Sequence, residues 1–295
     1  MTSLNVLGVP HAYTLTEPVP SGQVLVFVHG WLLSRHYWHP LIEQLAPQYQ
    51  CLTYDLRGFG NSIQQLEQRQ SLPAHSQFHP TSSPYGLAAY AVDLISLLKH
   101  LGICQAWLLG HSLGGSIALW AAHLAPELVQ GVIGINVGGG IYIREDFQRF
   151  RNAGQQIIKF RAKWLAQVPL LDTIFSRMMV ATPLARCWGK QRLADLVAAH
   201  RTAALGTLLD STTEAEVHLL PQVVSSLGQP TYFVAGQQDR VIELKYVNHL
   251  ASFHPLFQTS PGNVIGLEHC GHLAMVEQPH VLTRVIQQIL ARHAN

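Results

Sequence analysis

The sequence predicts an α/β fold: a mostly parallel sheet with helices on both faces and an inserted all-helical cap. Two observations lead to this prediction. Short apolar runs typical of buried strands alternate with segments of helical spacing, which favours right-handed crossovers and parallel strands. The alternation stops near Ile141, only helical patterns follow as far as Pro221, and strands then resume. An all-helical block between two strands of one sheet is typical of a lid.

The first half of the chain supplies four of the predicted strands. Each is a short apolar run bounded by glycine, proline or polar residues. They are Val24–Val28, Gln50–Tyr54, Ala106–Leu109 and Val132–Val137. Helices are predicted at Trp38–Leu45, from Ser83 (N-cap) and Pro84 to Gly102, and from Ser116 to about His123. The stretch Ile63–Ser83, rich in Gln, Ser, His and Pro, is expected to be a long surface excursion, and no role is assigned to it.

The sheet pattern returns after the helical block. Thr231–Gly236 and Asn263–Leu267 are predicted strands, and Pro279–Arg292 is the predicted closing helix. In an open parallel sheet the carboxyl ends of the strands face one common crevice. Polar residues directly after these strands are therefore the candidates for chemistry.

Composition and charge exclude several classes of protein. Charged residues are 12% and apolar residues 48% of the 295, which predicts a large buried core. A net charge of +2 is too small to indicate nucleic-acid binding. No targeting pattern and no membrane-spanning apolar run is visible, so a cytoplasmic location is expected, with peripheral membrane contact as the alternative. The histidines lack a matching carboxylate cluster, and neither a metal nor a cofactor is expected.

The four cysteines are scattered, with no C-x-x-C pair. Cys51 and Cys104 flank predicted strands and are expected to be buried small apolar groups. This usage fits a reducing compartment better than a disulfide framework.

The most informative motif is Gly110-His111-Ser112-Leu113-Gly114-Gly115. It separates a predicted strand from a predicted helix, so Ser112 is expected in a sharp turn. The glycines let the backbone bend where a side chain would clash, and the hydroxyl would lie at a helix N-terminus, where negative charge is favoured. The alternative is a glycine-rich loop with an incidental serine. The choice depends on a base, an acid and an oxyanion hole elsewhere in the chain.

Two later loops supply the base and the acid. Asp239 follows the strand at Thr231–Gly236, and His272 follows the strand at Asn263–Leu267. A free serine hydroxyl is a poor nucleophile, an imidazole can take its proton, and a carboxylate fixes the imidazole tautomer. The order Ser, Asp, His is that of the nucleophile elbow. We therefore predict a catalytic triad of Ser112, Asp239 and His272, with Glu243 or Asp210 as the alternative acid.

The predicted oxyanion hole lies at the end of the first strong strand. His29-Gly30-Trp31 follows Val24–Val28, and the backbone N–H groups of Trp31 and Leu113 are the expected donors to a tetrahedral oxyanion. The alternative is that His29-Gly30 is only a turn.

These motifs together resemble the α/β-hydrolase family along nearly the whole chain. The resemblance implies catalysis by the predicted triad, and it divides the chain into a core of residues 1–138 and 222–295 and a cap of residues 139–221. Relatives that dehalogenate or open epoxides carry Asp where this chain has Ser112. Epoxide-hydrolysing relatives also carry a proline soon after the His-Gly pair, whereas in this chain Leu32-Leu33 follows Trp31. Dehalogenation and epoxide opening are therefore both disfavoured. The matching segments are His29-Gly30-Trp31, Asp55–Ser62, Gly110–Gly115, Asp239 and Gly271-His272.

The cap segment interleaves bulky apolar residues with cations. From Ile141 to Leu220 there are 11 Lys or Arg against 7 Asp or Glu, whereas the rest has 8 against 10. One interpretation is a lid with an apolar underside and a basic exterior that approaches anionic headgroups at a membrane surface. The other is amphipathic helices packed on the core with solvated cations outside. The expected pocket linings are Tyr142, Phe147, Trp164 and Phe175.

The predicted function is hydrolysis of a carboxylic ester or thioester of a largely apolar, small or lipid-like substrate through an acyl-enzyme on Ser112. One alternative on the same fold is a carbon–carbon bond hydrolase or lyase, in which Arg144, Arg149 or Arg151 would bind a carboxylate. Another is an acyltransferase that excludes water. The alternative outside the enzymes is a ligand-binding module with little turnover. The acyl and alcohol groups and the oligomeric state stay open at this level.

Overall fold

Eight strands form one mostly parallel sheet in the order β1-β2-β4-β3-β5-β6-β7-β8. The structure is a computed structural model and describes residues 2–63, 83–138, 144–259 and 262–294. β1 pairs with β2, and β2 with β4, in antiparallel fashion, and the pairs from β4 to β8 are parallel, as the sequence predicts. The strands are β1 (Thr2–Val6), β2 (Val9–Leu15), β3 (Val24–Val28), β4 (Gln50–Tyr54), β5 (Ala106–His111), β6 (Val129–Ile135), β7 (Thr231–Gly236) and β8 (Val264–Leu267).

Helices cover both faces of this sheet. The side chains of β3 point alternately to the two faces and so contribute to two apolar clusters. Val24, Val26 and Val28 pack into one apolar cluster, and Leu25 and Phe27 into the other, as the two-residue period of a strand requires. The core helices are α1 (His39–Leu45), α2 (Leu87–His100), α3 (Leu113–Leu124), α9 (Leu244–Ala251), α10 (Ala274–Glu277) and α11 (Pro279–Ala291). The first cluster includes residues of α2, α3 and α9, and the second includes residues of α1, α10 and α11.

Between β6 and β7 the described chain is helical, as the sequence predicts. The helices are α4 (Arg144–Phe160), α5 (Leu171–Phe175), α6 (Arg186–Ala198), α7 (Arg201–Ser211) and α8 (Glu214–Ser226), with a 3-10 turn at Lys163–Gln167. α8 continues past the expected boundary at residue 221, with Pro221 buried inside it, and packs on α3 and α9. The division into a core domain and a cap domain stays a prediction, and the word cap denotes only the helical segment between β6 and β7.

Three local expectations are corrected or fall outside the described residues. α2 begins at Leu87 with Gly86 as its N-cap, and Ser83 lies before the helix, where its hydroxyl donates to the Asp210 carboxylate and accepts from the Tyr85 N–H. Cys51 is buried as expected, but Cys104 is exposed because it lies in the loop before β5, and the four cysteines are free. Most of the predicted excursion, residues 64–82, lies outside the described residues.

Candidate active site

Ser112 occupies a strained turn between β5 and α3. Its φ of 51° and ψ of −120° are rare for a residue with a side chain. Its backbone N–H donates to the carbonyl of Ile135 on the neighbouring strand at 2.9 Å, which holds the turn in place. A Cβ on Gly110 would collide with the carbonyl of Gly114, and one on Gly114 with the carbonyl of Val28. The motif therefore needs its glycines, and it places a half-buried Ser112 at the N-cap of α3.

Asp239 and His272 are joined by a hydrogen bond beside this turn. His272 Nδ1–H donates to Asp239 Oδ2 at 2.7 Å, and both residues are buried. The backbone N–H groups of Val241 and Ile242 donate to Asp239 Oδ1 at 2.7 and 3.0 Å. These bonds fix the His272 tautomer with its Nε2 unprotonated in the neutral ring. The sequence prediction placed both residues at strand ends, and the structure brings them into contact.

The electrostatics of this pair keep the carboxylate ionised. Burial alone would raise the pKa of Asp239, but the neighbouring His272 imidazole and the backbone donors outweigh it and hold the pKa below its usual value. Asn136, just after β6, adds an Nδ2–H donor to Asp239 Oδ2 at 2.7 Å and a longer one to the Gly271 carbonyl. Sequence reasoning missed Asn136, although it is a polar residue at the end of a predicted strand.

His111 connects the Ser112 turn to His272. Its Nε2–H donates to the His272 carbonyl at 2.7 Å, and the two imidazole rings lie 4.8 Å apart. Burial, together with the neighbouring His272, lowers the pKa of His111 to about 3, so this ring is neutral at ordinary pH. Among the described residues the Ser112 hydroxyl makes no hydrogen bond, and without substrate such bonds are often long. His111 was not singled out from the sequence because its partner is distant along the chain.

The expected oxyanion donors border the same cavity as Ser112. Trp31 follows the end of β3, and its indole N–H donates to the carbonyl of Ala204 in α7 at 2.9 Å. The backbone N–H groups of Trp31 and Leu113 have no acceptor within the part of the chain that the structure describes. His29 stiffens this loop, since it accepts from the Leu56 N–H at 2.9 Å and its other ring nitrogen bonds the Gly30 carbonyl at 2.8 Å.

Glu277 clamps the loop that carries His272. Its carboxylate accepts from the N–H groups of Gly271 and Leu273, which flank the histidine, at 2.9 and 3.0 Å. It also accepts from the N–H of Ala181, in the cap segment, at 2.7 Å. One half-buried carboxylate thus ties the histidine loop to the cap. The sequence shows Glu277 near His272 but does not show where its oxygens point.

A second cap contact reaches His272 directly. The His272 backbone N–H donates to the Met179 carbonyl at 2.8 Å. The buried Arg192 holds the preceding segment, because its Nη1 donates to the carbonyls of Phe175 and Met178 at 2.5 and 2.6 Å. We call residues 179–181 the strap, since they join the cap to the histidine loop.

A cavity of about 120 Å³ opens next to Ser112 and is largely apolar. Of the expected linings, Trp164 is 62% exposed and Phe175 packs beside Arg192, and neither borders this cavity. Tyr142 and the side chain of Phe147 lie outside the described residues. Sequence reasoning missed most of the cap walls because it cannot fix the rotation of a helix. The lining residues are Trp31, Leu87, Ser112, Leu113, Ser116, Asn136, Gly138, Phe150, Leu208, Ser211, Thr212, Glu216, Val217, Leu220, Val241 and Ile242.

Three of the alternative charged residues, Arg151, Glu243 and Asp210, have other partners. Arg151 Nη1 donates to the carbonyls of Leu209 and Thr212. Glu243 pairs with Lys245 at 3.0 Å, and Asp210 accepts from Ser83. The side chain of Arg144 lies outside the described residues. Among the described residues, neither the Glu243 nor the Asp210 carboxylate bonds to His272, and the carboxylate that does is Asp239.

In residues 2–63, 83–138, 144–259 and 262–294, no cluster of three or more His, Cys, Asp or Glu side chains is placed to hold a metal ion. In the same ranges, no helix combines the length and the apolarity needed to cross a membrane.

Comparison with known proteins gives a family and several relatives. A family model described as the alpha/beta hydrolase fold matches residues 23–279. The chain is 25% identical over 277 residues to a pimeloyl-[acyl-carrier protein] methyl ester esterase of Xylella fastidiosa, covering 92% of this chain and 96% of that one. It is 30% identical over 225 residues to a 2-succinyl-6-hydroxy-2,4-cyclohexadiene-1-carboxylate synthase of Yersinia pseudotuberculosis, covering 74% and 73%. A thermophilic esterase structure from Thermogutta terrifontis superposes with a TM-score of 0.73 at 20% identity, over the full length of both chains. The family and the esterase relatives point to a hydrolase.

Proposed function

This chain belongs to the α/β-hydrolase family, and on that premise we propose that it is a serine hydrolase that cleaves a carboxylic ester or thioester. The observation that carries the proposal is the buried 2.7 Å hydrogen bond between His272 and Asp239, which follow β8 and β7 at the same edge of the sheet as the Ser112 turn after β5. The similarity to a protein named as a methyl ester esterase supports the ester as the bond that is cleaved.

In the proposed mechanism, His272 Nε2 takes the proton of the Ser112 hydroxyl as its oxygen attacks the substrate carbonyl carbon. Asp239 stabilises the imidazolium that forms and stays ionised, in keeping with its lowered pKa. The tetrahedral intermediate collapses, and His272 returns the proton to the departing alcohol or thiol. Water, deprotonated by the same imidazole, then attacks the acyl-enzyme and releases the acid and free Ser112.

The negative charge of each tetrahedral intermediate needs donors that are already in place. The Trp31 and Leu113 backbone N–H groups are proposed for this role because both border the cavity and neither has a protein acceptor in the described chain. One such donor is typically worth about 3 kcal/mol of barrier. The N-terminal end of α3 adds its dipole in the same sense.

The cavity supports a largely apolar substrate group. Phe150, Leu208 and Leu220 supply cap-side walls, and Leu87 and Ile242 come from the core side. A volume of about 120 Å³ holds a short chain or a ring rather than a macromolecule. The acyl or alcohol group of the substrate is therefore proposed to be a small or medium-sized apolar moiety.

The test is covalent trapping of Ser112. Wild-type protein mixed with p-nitrophenyl butyrate is expected to release p-nitrophenol turnover after turnover, and a fluorophosphonate is expected to label the peptide containing Ser112, read by mass spectrometry. Ser112→Ala, with unchanged circular dichroism, is expected to lose both signals. Turnover that survives in Ser112→Ala, or labelling at another serine, would overturn the proposal.

Carbon–carbon bond cleavage or an associated lyase reaction is the second candidate. It is favoured by the 30% identity to a protein named as a cyclohexadiene-carboxylate synthase. Against it, Arg151 is engaged by two backbone carbonyls instead of facing an open site. Inertness toward activated esters together with rapid cleavage of a vinylogous diketone would favour this candidate over ester hydrolysis.

We also propose that the cap contacts lipid surfaces while the protein itself is cytoplasmic. Seven of the nine large apolar side chains exposed in the described residues lie between 157 and 179. Lys159 lies 5.5 Å from the ring of Phe160, which pairs a cation with an exposed aromatic side chain. This arrangement is typical of surfaces that rest on anionic membranes.

A further inference from the structure

We propose that the cavity recognises a hydroxyl group on the substrate, at the end where Glu216 lies. This inference rests on the proposed function, since it concerns the group bound next to Ser112. The mechanism uses no acid other than Asp239, yet a second buried carboxylate borders the same cavity. Buried carboxyl groups without a cationic partner are costly, so this one calls for an explanation.

Helix α3 links the two ends of the site. Ser112 is its N-cap, and positions 116 and 120 follow at four-residue spacing on the same face. The helix rise places them about 6 and 12 Å from Ser112 along the axis. Ser116 borders the cavity, and the Trp120 indole N–H donates to Glu216 Oε1 at 2.7 Å. The polar end therefore lies one to two helical turns from the nucleophile.

One oxygen of the Glu216 carboxyl group accepts a hydrogen bond from the protein, and the other has no partner within the described residues. Glu216 is 3% exposed, and within the described residues Oε2 has no protein hydrogen-bond partner. Burial raises the pKa of Glu216 to about 7, with Trp120 opposing and the nearby Asp210 adding to the rise. Near neutral pH this carboxyl group is present in both its protonated and its ionised form. The protonated form can donate a hydrogen bond to a substrate hydroxyl, and the ionised form can accept one from it.

The neighbours of Glu216 favour a hydroxyl over a charged group. Ser116, Ser211 and Thr212 add three hydroxyl-bearing side chains to the lining, of which Ser211 and Thr212 donate to the Leu208 carbonyl, and the rest of the lining is mostly apolar. A substrate carboxylate would meet the acidic Glu216 at the cavity wall. An ammonium group would have to leave water for a largely apolar cavity, and desolvating a full charge is expensive. A neutral hydroxyl avoids both costs.

The experiment compares p-nitrophenyl octanoate with its ω-hydroxy, ω-amino and ω-carboxy derivatives. For the wild type, kcat/KM is expected to be highest for the ω-hydroxy ester. In Glu216→Leu the ratio of ω-hydroxy to unsubstituted ester is expected to fall about tenfold, the size of one lost hydrogen bond to a charged group. Glu216→Gln, which keeps a hydrogen-bonding end, is expected to retain most of the preference. An equal ratio in wild type and Glu216→Leu, or a preference for the amino or carboxy ester, would overturn the proposal.

The control is Glu214→Leu on the same helix, whose carboxylate is 94% exposed, and it is expected to keep the wild-type ratio. If Glu216→Leu fails to fold, Glu216→Met takes its place. If no ester is turned over at all, the ester-hydrolase proposal fails. Recognition of a hydroxyl group is then tested separately by measuring ligand binding with calorimetry. Octane-1,8-diol is then expected to bind more tightly than octan-1-ol to the wild type but not to Glu216→Leu, and equal binding to the wild type would contradict it.

Discussion

The sheet and the cap of this protein are packed differently. Every residue of β3, β5 and β7 is buried, so the loops that follow these strands rest on a rigid base. In the cap, by contrast, Phe160, Trp164 and Leu170 are more than 60% exposed. The comparison teaches that Ser112 and Asp239, which are proposed for the chemistry, follow fully buried strands of the sheet, whereas the outer face of the cap is exposed. The predictions below test this division, from the largest expected effect to the smallest.

His272→Ala is expected to lower kcat by several orders of magnitude, about 10⁶ in the extreme of comparable triads. The physical reason is that no other group in the described site can take the Ser112 proton. Steady-state hydrolysis of p-nitrophenyl butyrate measures the loss, and circular dichroism shows whether the fold is kept. Near-normal turnover in a folded variant would refute the triad.

Asp239→Asn is expected to cost about 10⁴ in kcat, because the amide donates to His272 Nδ1 and selects the wrong tautomer. Glu243→Gln is the matched control, since Glu243 lies four residues away and pairs only with Lys245 at the surface. A mild loss in Asp239→Asn would mean that another carboxylate orients the histidine.

Glu277→Gln is expected to reduce kcat about 10- to 100-fold with little change in KM, which corresponds to losing one or two charge-assisted backbone bonds. Glu277 acts as a positioning residue, because its carboxylate accepts from the N–H groups on both sides of His272. The exposed Glu268 in the same loop provides the control variant, Glu268→Gln. A rise in KM at constant kcat would contradict the assigned role.

Asp195→Asn is expected to stabilise the protein above pH 7 and to have little effect near pH 4. Asp195, on α6, accepts from Ser34 of the core at 2.9 Å, and burial raises its pKa to about 7. Between its ordinary pKa and this value the native state binds more protons than the unfolded state, so stability falls as pH rises through that window. The Asn variant removes this loss.

Thermal unfolding at pH 4 and pH 8 measures the effect of Asp195→Asn. A gain of a few degrees in Tm is expected at pH 8, since 1 kcal/mol is worth about 2–4 °C in a domain of this size class. Glu214→Gln, at an exposed position, serves as the control. An equal gain at both pH values would show that the raised pKa is not the cause.

The smallest effect is expected at the outer face of the cap. Phe160→Ser combined with Leu170→Ser is expected to lower sedimentation with phosphatidylglycerol vesicles a few-fold, because two exposed apolar side chains no longer insert. Ile63→Ser, an exposed apolar position in the core, is the control. Equal sedimentation of all three proteins would show that the exposed face does not contact lipid.

The difference between the buried sheet and the more exposed cap also explains which parts of the structure the sequence could predict. β3, β4 and β7 agree with prediction to the residue, because each is a short, mostly buried run that ends at a glycine or directly before a polar residue. β1 and β2 were missed because they contain few buried apolar residues: β1 is the edge strand, and β2, which lies between β1 and β4, contains Pro10. The cap was predicted to be helical, but its inward faces were not, since helix rotation depends on tertiary contacts.

In the candidate site, Ser112, Asp239 and His272 could be found because each follows a strand, and the ends of parallel strands converge. His111 and Glu216 could not be found in the same way, and Asn136 was missed although it lies at the end of a predicted strand. The contacts of His111 with His272, of Asn136 with Asp239 and of Glu216 with Trp120 join positions about a hundred or more residues apart. Such pairings are set by the packed fold and leave no local pattern.

The strap has a mechanical consequence. Met179 accepts from the backbone of His272, and Ala181 donates to the carboxylate that frames the same loop. Any movement that lifts the cap at this edge therefore also loosens the imidazole proposed as the base. Opening of the cap at this edge and displacement of the proposed base are therefore coupled. A substrate that keeps this edge closed also keeps His272 in position for catalysis.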